Sequence, residues 1–302
     1  MRSNSTQLFP KLSIIVPSYN QGDYIEETLL SIINQDYPNK ELIIIDGGST
    51  DNSVSIIKKY EQHIAYWVSE KDKGQSHAIN KGFARATGDY IAWMNSDDLY
   101  YKDAFKTIFS TPGIEQYDFI FGPICSGREP LEKLQPQGRQ KEKFSLFNLL
   151  HFFYSVEYII PSQSVFIQHD FLKKHNIQFL DEAYHFCMDL EWYCRISLAK
   201  PRYYRYAKPL SFFRINESTK TGSPNNGIQQ EAVQVFLQYR KYLTPAEVKS
   251  LFDTLFLHRV LPKLYNGSIK KNVASLLAIM YRIPRALKDR RFLGLLKMSL
   301  KG

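Results

Sequence analysis

The chain has 302 residues, 44% of them hydrophobic, and a formal net charge of +9. That length holds one large domain with an appendage, and that apolar share excludes an intrinsically disordered chain. The charge is concentrated at one end: from Arg259 onward eleven Lys and Arg face a single acid, Asp289, for a net of +10, so the preceding chain carries −1. A near-neutral body gives no support to nucleic-acid binding. Met1–Pro10 is polar and has none of the apolar core of a secretory leader. Three cysteines (Cys125, Cys187, Cys194) without metal-ligand spacing point to reduced thiols in the cytoplasm. There are no internal repeats.

In chain order, Leu12–Pro17 is a short β-branched strand running into a turn cluster, Ser18–Asp23. A helix is predicted at about 23–35, with Tyr24, Ile25, Thr28, Leu29, Ile32 and Ile33 on one stripe. A second strand, Glu41–Ile45, ends in Asp46-Gly47-Gly48-Ser49-Thr50-Asp51, which leads into a helix at about 51–62. A third strand is predicted at Ile64–Val68, a polar loop at Lys73–Gln75, and a helix at Ala78–Arg85. This βαβαβ order predicts a parallel sheet with right-handed crossovers, whose ligands sit at the carboxyl ends of the strands. The next strand, Tyr90–Met94, is apolar enough for both faces to be covered and ends on Asn95-Ser96-Asp97-Asp98. Adjacent carboxylates there suit Mg²⁺ or Mn²⁺. They equally suit a cap on a helix starting at Leu99.

Tyr19 offers either a stacking face for a base or a ring packed beneath its loop. Asp46 either accepts a hydrogen bond from a base or ribose or caps the helix after Ser49. Asp51 fits the capping role better. Lys73 is a phosphate contact or a solvated lysine.

Four segments in register resemble the motif series of family 2 glycosyltransferases: Val16–Asn20, Ile45–Asp51, Asp72–Ser76 and Asn95–Asp98. The resemblance runs from about residue 12 to about 215. It implies a GT-A fold (α/β, a Rossmann-like, mostly parallel central sheet flanked by helices) and inverting transfer of a sugar from a nucleotide-diphospho sugar, UDP-linked by expectation, to an acceptor hydroxyl. It places Pro17, Tyr19, Asn20, Asp46, Lys73, Gln75, Asn95, Ser96 and Asp97 at the donor, and Asp97 with Asp98 at a Mn²⁺ or Mg²⁺ ion. His77 departs from the pattern, which usually has Asp there. The implied acceptor is a lipid-linked or growing surface glycan, as in bacterial polysaccharide biosynthesis.

Such a displacement needs a base. Asp181–Arg195 resembles the family's acidic motif opening a helix, with Asp189 as base, Glu191 as rival and a simple capping pair as the alternative; His185 lies close by. Pro161–Ile167 resembles the strand before the base, with Ser162 and Gln163 either facing the acceptor or serving as edge-strand polar groups. In Ser211–Thr221, Arg214, or Lys220 with Ser218, is placed to close over phosphates. Gly222–Gly227 is a lid or a linker.

The expected organisation is a GT-A domain over 1–221, with a nucleotide half at about 10–122 and an acceptor half at about 123–221, then a helical, basic region at 222–302. Residues 122–160 are a further place for acceptor recognition, with a polar excursion at Gln135–Lys143. Leu287–Met298 alternates apolar and basic groups, as helices lying on anionic membrane surfaces do; packing back on the domain is the alternative. A catalytically silent sugar-nucleotide-fold protein is the competing function. A nucleotidyltransferase would show a Gly-rich basic loop at the first strand, which Ser18–Asp23 lacks.

Overall fold

A computed structural model describes residues 9–128, 143–151, 160–216 and 227–255. The lid or linker segment up to Asn226, the polar excursion, Lys220, Ser218 and the basic chain end lie outside the described residues.

The expected βαβαβ core is present. β1 (Leu12–Ser18) is buried along its whole length and pairs in parallel with β2 (Lys40–Asp46) on one side and β4 (Tyr90–Trp93) on the other. β3 (Tyr66–Ser69) extends the sheet from β2. Beyond β4 come β8 (Val165–Gln168), β6 (Phe119–Phe121) and β9 (Tyr203–Arg205), giving the order β3-β2-β1-β4-β8-β6-β9. Only β8 runs against the others.

Strand alternation sorts the side chains into two cores. Ile15, Ile43, Ile45, Ile91 and Trp93 face α3 (Gln75–Phe83) and α7 (Met188–Leu198). Ile14, Val16, Leu42, Ile44 and Ala92 face α1 (Ile25–Ile33) and α4 (Ala104–Phe109). The stripe predicted for α1 buries Ile25, Thr28, Leu29 and Ile32. α3 lies so close on β1 that a methyl at Gly82 would collide with Ile15. α2 (Ser53–Lys59), α5 (Leu146–Leu149) and α6 (His169–Lys174) complete the layers. Among the described residues no helix is long and apolar enough to cross a membrane.

Two expectations change. No helix starts at Leu99: Leu99–Tyr100 is a short strand, β5, and the helix begins at Ala104. β5 pairs antiparallel with β10 (Ser211–Arg214), which pairs in parallel with β7 (Ile124–Gly127). This second sheet takes strands from both expected halves, so the two halves are interlaced. The strand at 165–168 is also interior, flanked by β4 and β6, which rules out an edge-strand origin for Ser162 and Gln163. Finally, α8 (Ile228–Tyr239) and α9 (Pro245–Leu255) enter the α3–α7 core through Ala232, Val235, Tyr239 and Leu251. At least this part of the expected appendage is packed on the domain.

Candidate active site

Parallel pairing brings the ends of β1, β2 and β4 to one rim, and each delivers the polar group expected of it. At β1, Tyr19 stands 60% exposed. Asn20 follows with φ 51°, a left-handed turn that Asn tolerates. Its Oδ1 accepts from Thr50 N at 2.9 Å and its own amide donates to Ser49 Oγ at 2.8 Å, tying the two loops together. Pro17 is buried within β1, in register with Ile45.

Asp46 is fully buried and its bonds are internal: Ser49 N (2.8 Å), Gly48 N (3.1 Å) and Ser69 Oγ (2.6 Å) donate to Oδ2, and Ser49 Oγ (2.5 Å) to Oδ1. It braces its loop, and its bonds are those of the capping alternative. Asp51 caps as expected, accepting Ser53 N at 3.0 Å and Gly22 N at 2.8 Å. The carboxylate that borders the exposed Tyr19 is Asp72: a methyl on Gly47 would lie 2.6 Å from Asp72 Oδ2 and 3.3 Å from Tyr19 Cδ2. Glycine at 47 therefore leaves a slot between ring and carboxylate. Asp72 Oδ1 is held by Gly74 N at 2.8 Å.

The two adjacent carboxylates at the end of β4 part company. Asp98 is fully buried and accepts from Gln163 Nε2 (2.7 Å), Asn95 Nδ2 (3.2 Å) and Arg214 N (2.9 Å). Burial, then the charge of Asp97, pushes its carboxyl up to about 8, against the pull of those three neutral donors. Asp97 is only half-buried, with Asn216 Nδ2 3.1 Å from its Oδ2. Of the two carboxylates expected together at a metal ion, Asp98 is sealed in the interior and Asp97 lies nearer the surface.

Gln163 comes to Asp98 because β8 runs antiparallel to β4, so the chain just before Val165 arrives at the carboxyl end of β4. At 5% exposure it is bonded to Asp98. Ser162 is likewise buried. Asn95 also accepts from Gln75 Nε2 at 2.8 Å, which links α3 to the carboxylates. Ser96 is buried beneath them.

Arg214 does not point at open space. Its Nε donates to Asp97 O at 3.0 Å, its Nη2 meets Glu27 at 2.5 Å, and its guanidinium lies 5.1 Å from the Tyr24 ring centre. In this conformation it braces α1 against the Asp97 turn and is not closed on phosphates. The Lys73 side chain is exposed. His77, which departs from the family pattern, accepts Lys73 N on Nδ1 at 3.3 Å, an acceptor role at a helix start that a carboxylate also fills. His185 sits against Gly74, its Nδ1 3.9 Å from where a methyl there would lie.

Asp189 lies in the first turn of α7 with some surface remaining in a densely packed recess. Burial raises its carboxyl to about 6, against the Leu190 amide donating to Oδ1 at 2.7 Å. Glu191 is otherwise engaged: Arg195 donates from Nε and Nη2 at 2.8–3.1 Å and Tyr239 from its hydroxyl at 2.6 Å. The α7 start is joined to the donor side through Ser76, whose Oγ bonds Tyr184 O and Met188 Sδ, both at 2.9 Å. Next to Ser76, Gln75 holds Asn95. One chain of contacts thus runs from Asp189 to Asp98.

Asp72, Gln163 as a partner of Asp98, Asn216 and Glu27 were not apparent from sequence. Only Asp72 had a local signal, as the first residue of a motif already singled out.

The family model of glycosyl transferase family 2 matches residues 13–174. An uncharacterised glycosyltransferase of Rickettsia typhi, RT0329, is 26% identical over 301 residues, covering 94% of this chain and 87% of its own length. TuaG of Bacillus subtilis, a glycosyltransferase named for teichuronic acid biosynthesis, is 42% identical over 122 residues, 39% of this chain and 44% of TuaG. The chain thus spans less than half of that relative. The structure of S. aureus TarS 1-349 in complex with UDP-GlcNAc superimposes with a TM-score of 0.64 at 19% identity, covering 91% of this chain and 82% of TarS 1-349. The mannosyltransferase PcManGT of Pyrobaculum calidifontis, in complex with GDP-Man and Mn2+, gives 0.59 at 16% identity, covering 97% and 85%. The structural likenesses establish the GT-A fold, and the family model, which matches more than half of the sequence, leads to one conclusion: the chain belongs to glycosyl transferase family 2.

Proposed function

We propose that the protein is an inverting transferase that takes its sugar from a UDP-sugar, with a divalent metal on the diphosphate, and passes it to a hydroxyl of a lipid-linked or growing surface glycan. The observation that carries this is a half-buried Asp97 at the end of β4, next to the sealed Asp98, together with a part-buried Asp189 whose carboxyl is raised to about 6. The uracil would stack on Tyr19, with Asp72 accepting from a base N–H across the slot that Gly47 leaves.

The donor set fits Mg²⁺ or Mn²⁺. Among the described residues no three His, Cys, Asp or Glu side chains converge, and these ions characteristically bind through one or two carboxylates plus substrate phosphates. Asp97 would hold the ion, which would neutralise charge on the departing diphosphate. Asp189 takes the proton of the acceptor hydroxyl as its oxygen bonds to the anomeric carbon and the bond from that carbon to the phosphate oxygen breaks. A base near 6 is ionised at neutral pH and still basic enough to work. Lys73 at the mouth of the loop is available to the phosphates. By likeness of fold, TarS with UDP-GlcNAc supports the UDP donor and PcManGT with Mn2+ supports the metal.

The test is calorimetric binding of UDP-GlcNAc, UDP-glucose, UDP-galactose and GDP-mannose, with and without Mn²⁺. One UDP-sugar is expected to bind tightly only with metal, and Tyr19→Ala to weaken it by ~1–3 kcal/mol without lowering Tm, since the ring is largely exposed. Binding of none of the four would defeat the assignment.

The basic chain end supports attachment to an anionic membrane surface from the cytoplasmic side, where a lipid-linked acceptor would be met. Co-sedimentation with phosphatidylglycerol vesicles is expected to fall sharply on Lys288→Glu, Arg290→Glu and Arg291→Glu together; unchanged partitioning would refute it.

A further inference from the structure

The segment that delivers Asp189 is clasped from the side by a helix the reaction itself does not use. Glu231, in the first turn of α8, accepts three successive backbone amides: His185 N at 2.9 Å on Oε1, and Phe186 N and Cys187 N at 2.8 Å on Oε2. These amides immediately precede α7. Consecutive N–H groups at a helix start form a concavity for an anion, and here a carboxylate of the same chain fills it. The joint is reinforced around that point. Cys187 Sγ donates to Ile228 O at 3.5 Å, and Gly227 (φ +74°) comes so close to Phe186 that a methyl would lie 3.1 Å from its ring. Tyr184 donates its hydroxyl to Gln238 at 2.8 Å. From the opposite side, Asn80 exchanges hydrogen bonds with the Leu180 backbone at 2.8 and 3.0 Å.

Residues 180–188 are therefore held between α3, which also carries Gln75 of the donor network, and α8. Asp189 lies two residues beyond the last clasped amide. The hydrogen bonds of its side chain are local, to the Leu190 amide and its own, so its placement depends on where the start of α7 is held.

We propose that Glu231 is a positioning residue for the transfer step, fixing the start of α7 so that the Asp189 carboxylate meets the attacking hydroxyl. The proposal rests on Asp189 being the base. The carboxylate of Glu231 is bonded to the backbone of 185–187, and through it Glu231 would act. Loss of the clasp should therefore lower kcat and leave donor affinity alone, because misplacement of a reacting group by about 1 Å costs up to ~10²-fold.

The experiment measures UDP affinity in Mn²⁺ by calorimetry, Tm, and kcat for hydrolysis of the UDP-sugar identified by the binding panel, per UDP-binding site. Glu231→Ala is expected to lose ~10- to 100-fold in kcat with UDP affinity unchanged within about twofold. Glu231→Gln, whose one carbonyl oxygen can still accept from Phe186 and Cys187, is expected to recover most of that loss and stay severalfold below wild type. Unchanged kcat in the Ala variant, or a loss of UDP affinity equal to the loss of kcat, overturns the proposal. If the Ala variant does not fold, the Gln variant decides by the same pair of quantities: a kcat deficit at unchanged UDP affinity upholds it and no deficit refutes it. Should Asp189→Asn prove fully active, the assignment of the base has failed; should it be inactive while both Glu231 variants behave as wild type, only the present proposal has.

Discussion

Asp189→Asn is expected to abolish turnover while leaving donor binding intact. The substitution keeps size and one hydrogen-bond acceptor, so the Leu190 amide keeps a partner and α7 its first turn. What is lost is proton acceptance, a contribution of ~10²–10⁴ in rate for a positioned base. The same group sets the pH response. Only the ionised carboxylate can take the proton, and burial holds it protonated up to about 6. kcat/KM is therefore expected to be flat above neutrality and to fall tenfold per pH unit well below 6, where an ordinary carboxylate would keep activity down to about 4. Turnover and calorimetry on the same preparations provide the check. An Asn variant with wild-type turnover, or an acid limb near 4, would show that another group is the base.

The second large effect separates two neighbouring carboxylates. Asp97→Ala is expected to remove Mn²⁺-dependent UDP-sugar binding, and with it the charge stabilisation that the metal would supply in the transition state, with Tm changed little because the residue is partly exposed. Asp98→Ala is expected to act first on stability. It removes the partner of Gln163 Nε2, Asn95 Nδ2 and Arg214 N, and the buried Gln163 donor left unpaired alone costs ~1–3 kcal/mol. Thermal unfolding and metal-dependent binding of the two variants decide the matter. If Asp98→Ala keeps its Tm and Asp97→Ala keeps metal-dependent binding, the roles have been assigned the wrong way round.

The parallel core was legible because its signals are local. β-branched runs such as Ser13–Val16 and Leu42–Ile45, each ending in glycine and cap-forming residues, define strand, turn and crossover within a few positions. The motif series added the GT-A fold and the location of the donor rim. Residues with several available partners were not legible. Leu99–Tyr100 becomes a strand only because Ser211 and Phe212 arrive beside it, a pairing that no window around Asp98 contains. Which of Asp97 and Asp98 turns inward is decided past the end of β4, where strand alternation no longer applies. Asp46 stands at a strand end, where ligands sit, and the Ser and Gly of its own turn also bond its carboxylate. Arg214 looked free to close on phosphates, yet Glu27, on a helix far earlier in the chain, is its partner. Glu231 reads as an ordinary first-turn acid, since the amides it receives lie more than forty residues upstream.

The bond from Arg214 N to Asp98 spans 116 positions, and this has a consequence for how the enzyme comes into being. During synthesis the seven-stranded sheet has all its strands once Arg205 has left the ribosome. At that stage Asp98 has Asn95 and Gln163 but not the β10 amide, and the helix bearing Glu231 has yet to be made. Contacts of such long sequence separation form slowly. The nascent chain therefore passes through a stage that holds every strand of the main sheet but neither the second sheet, which needs β10, nor the part of the core that α8 and α9 supply.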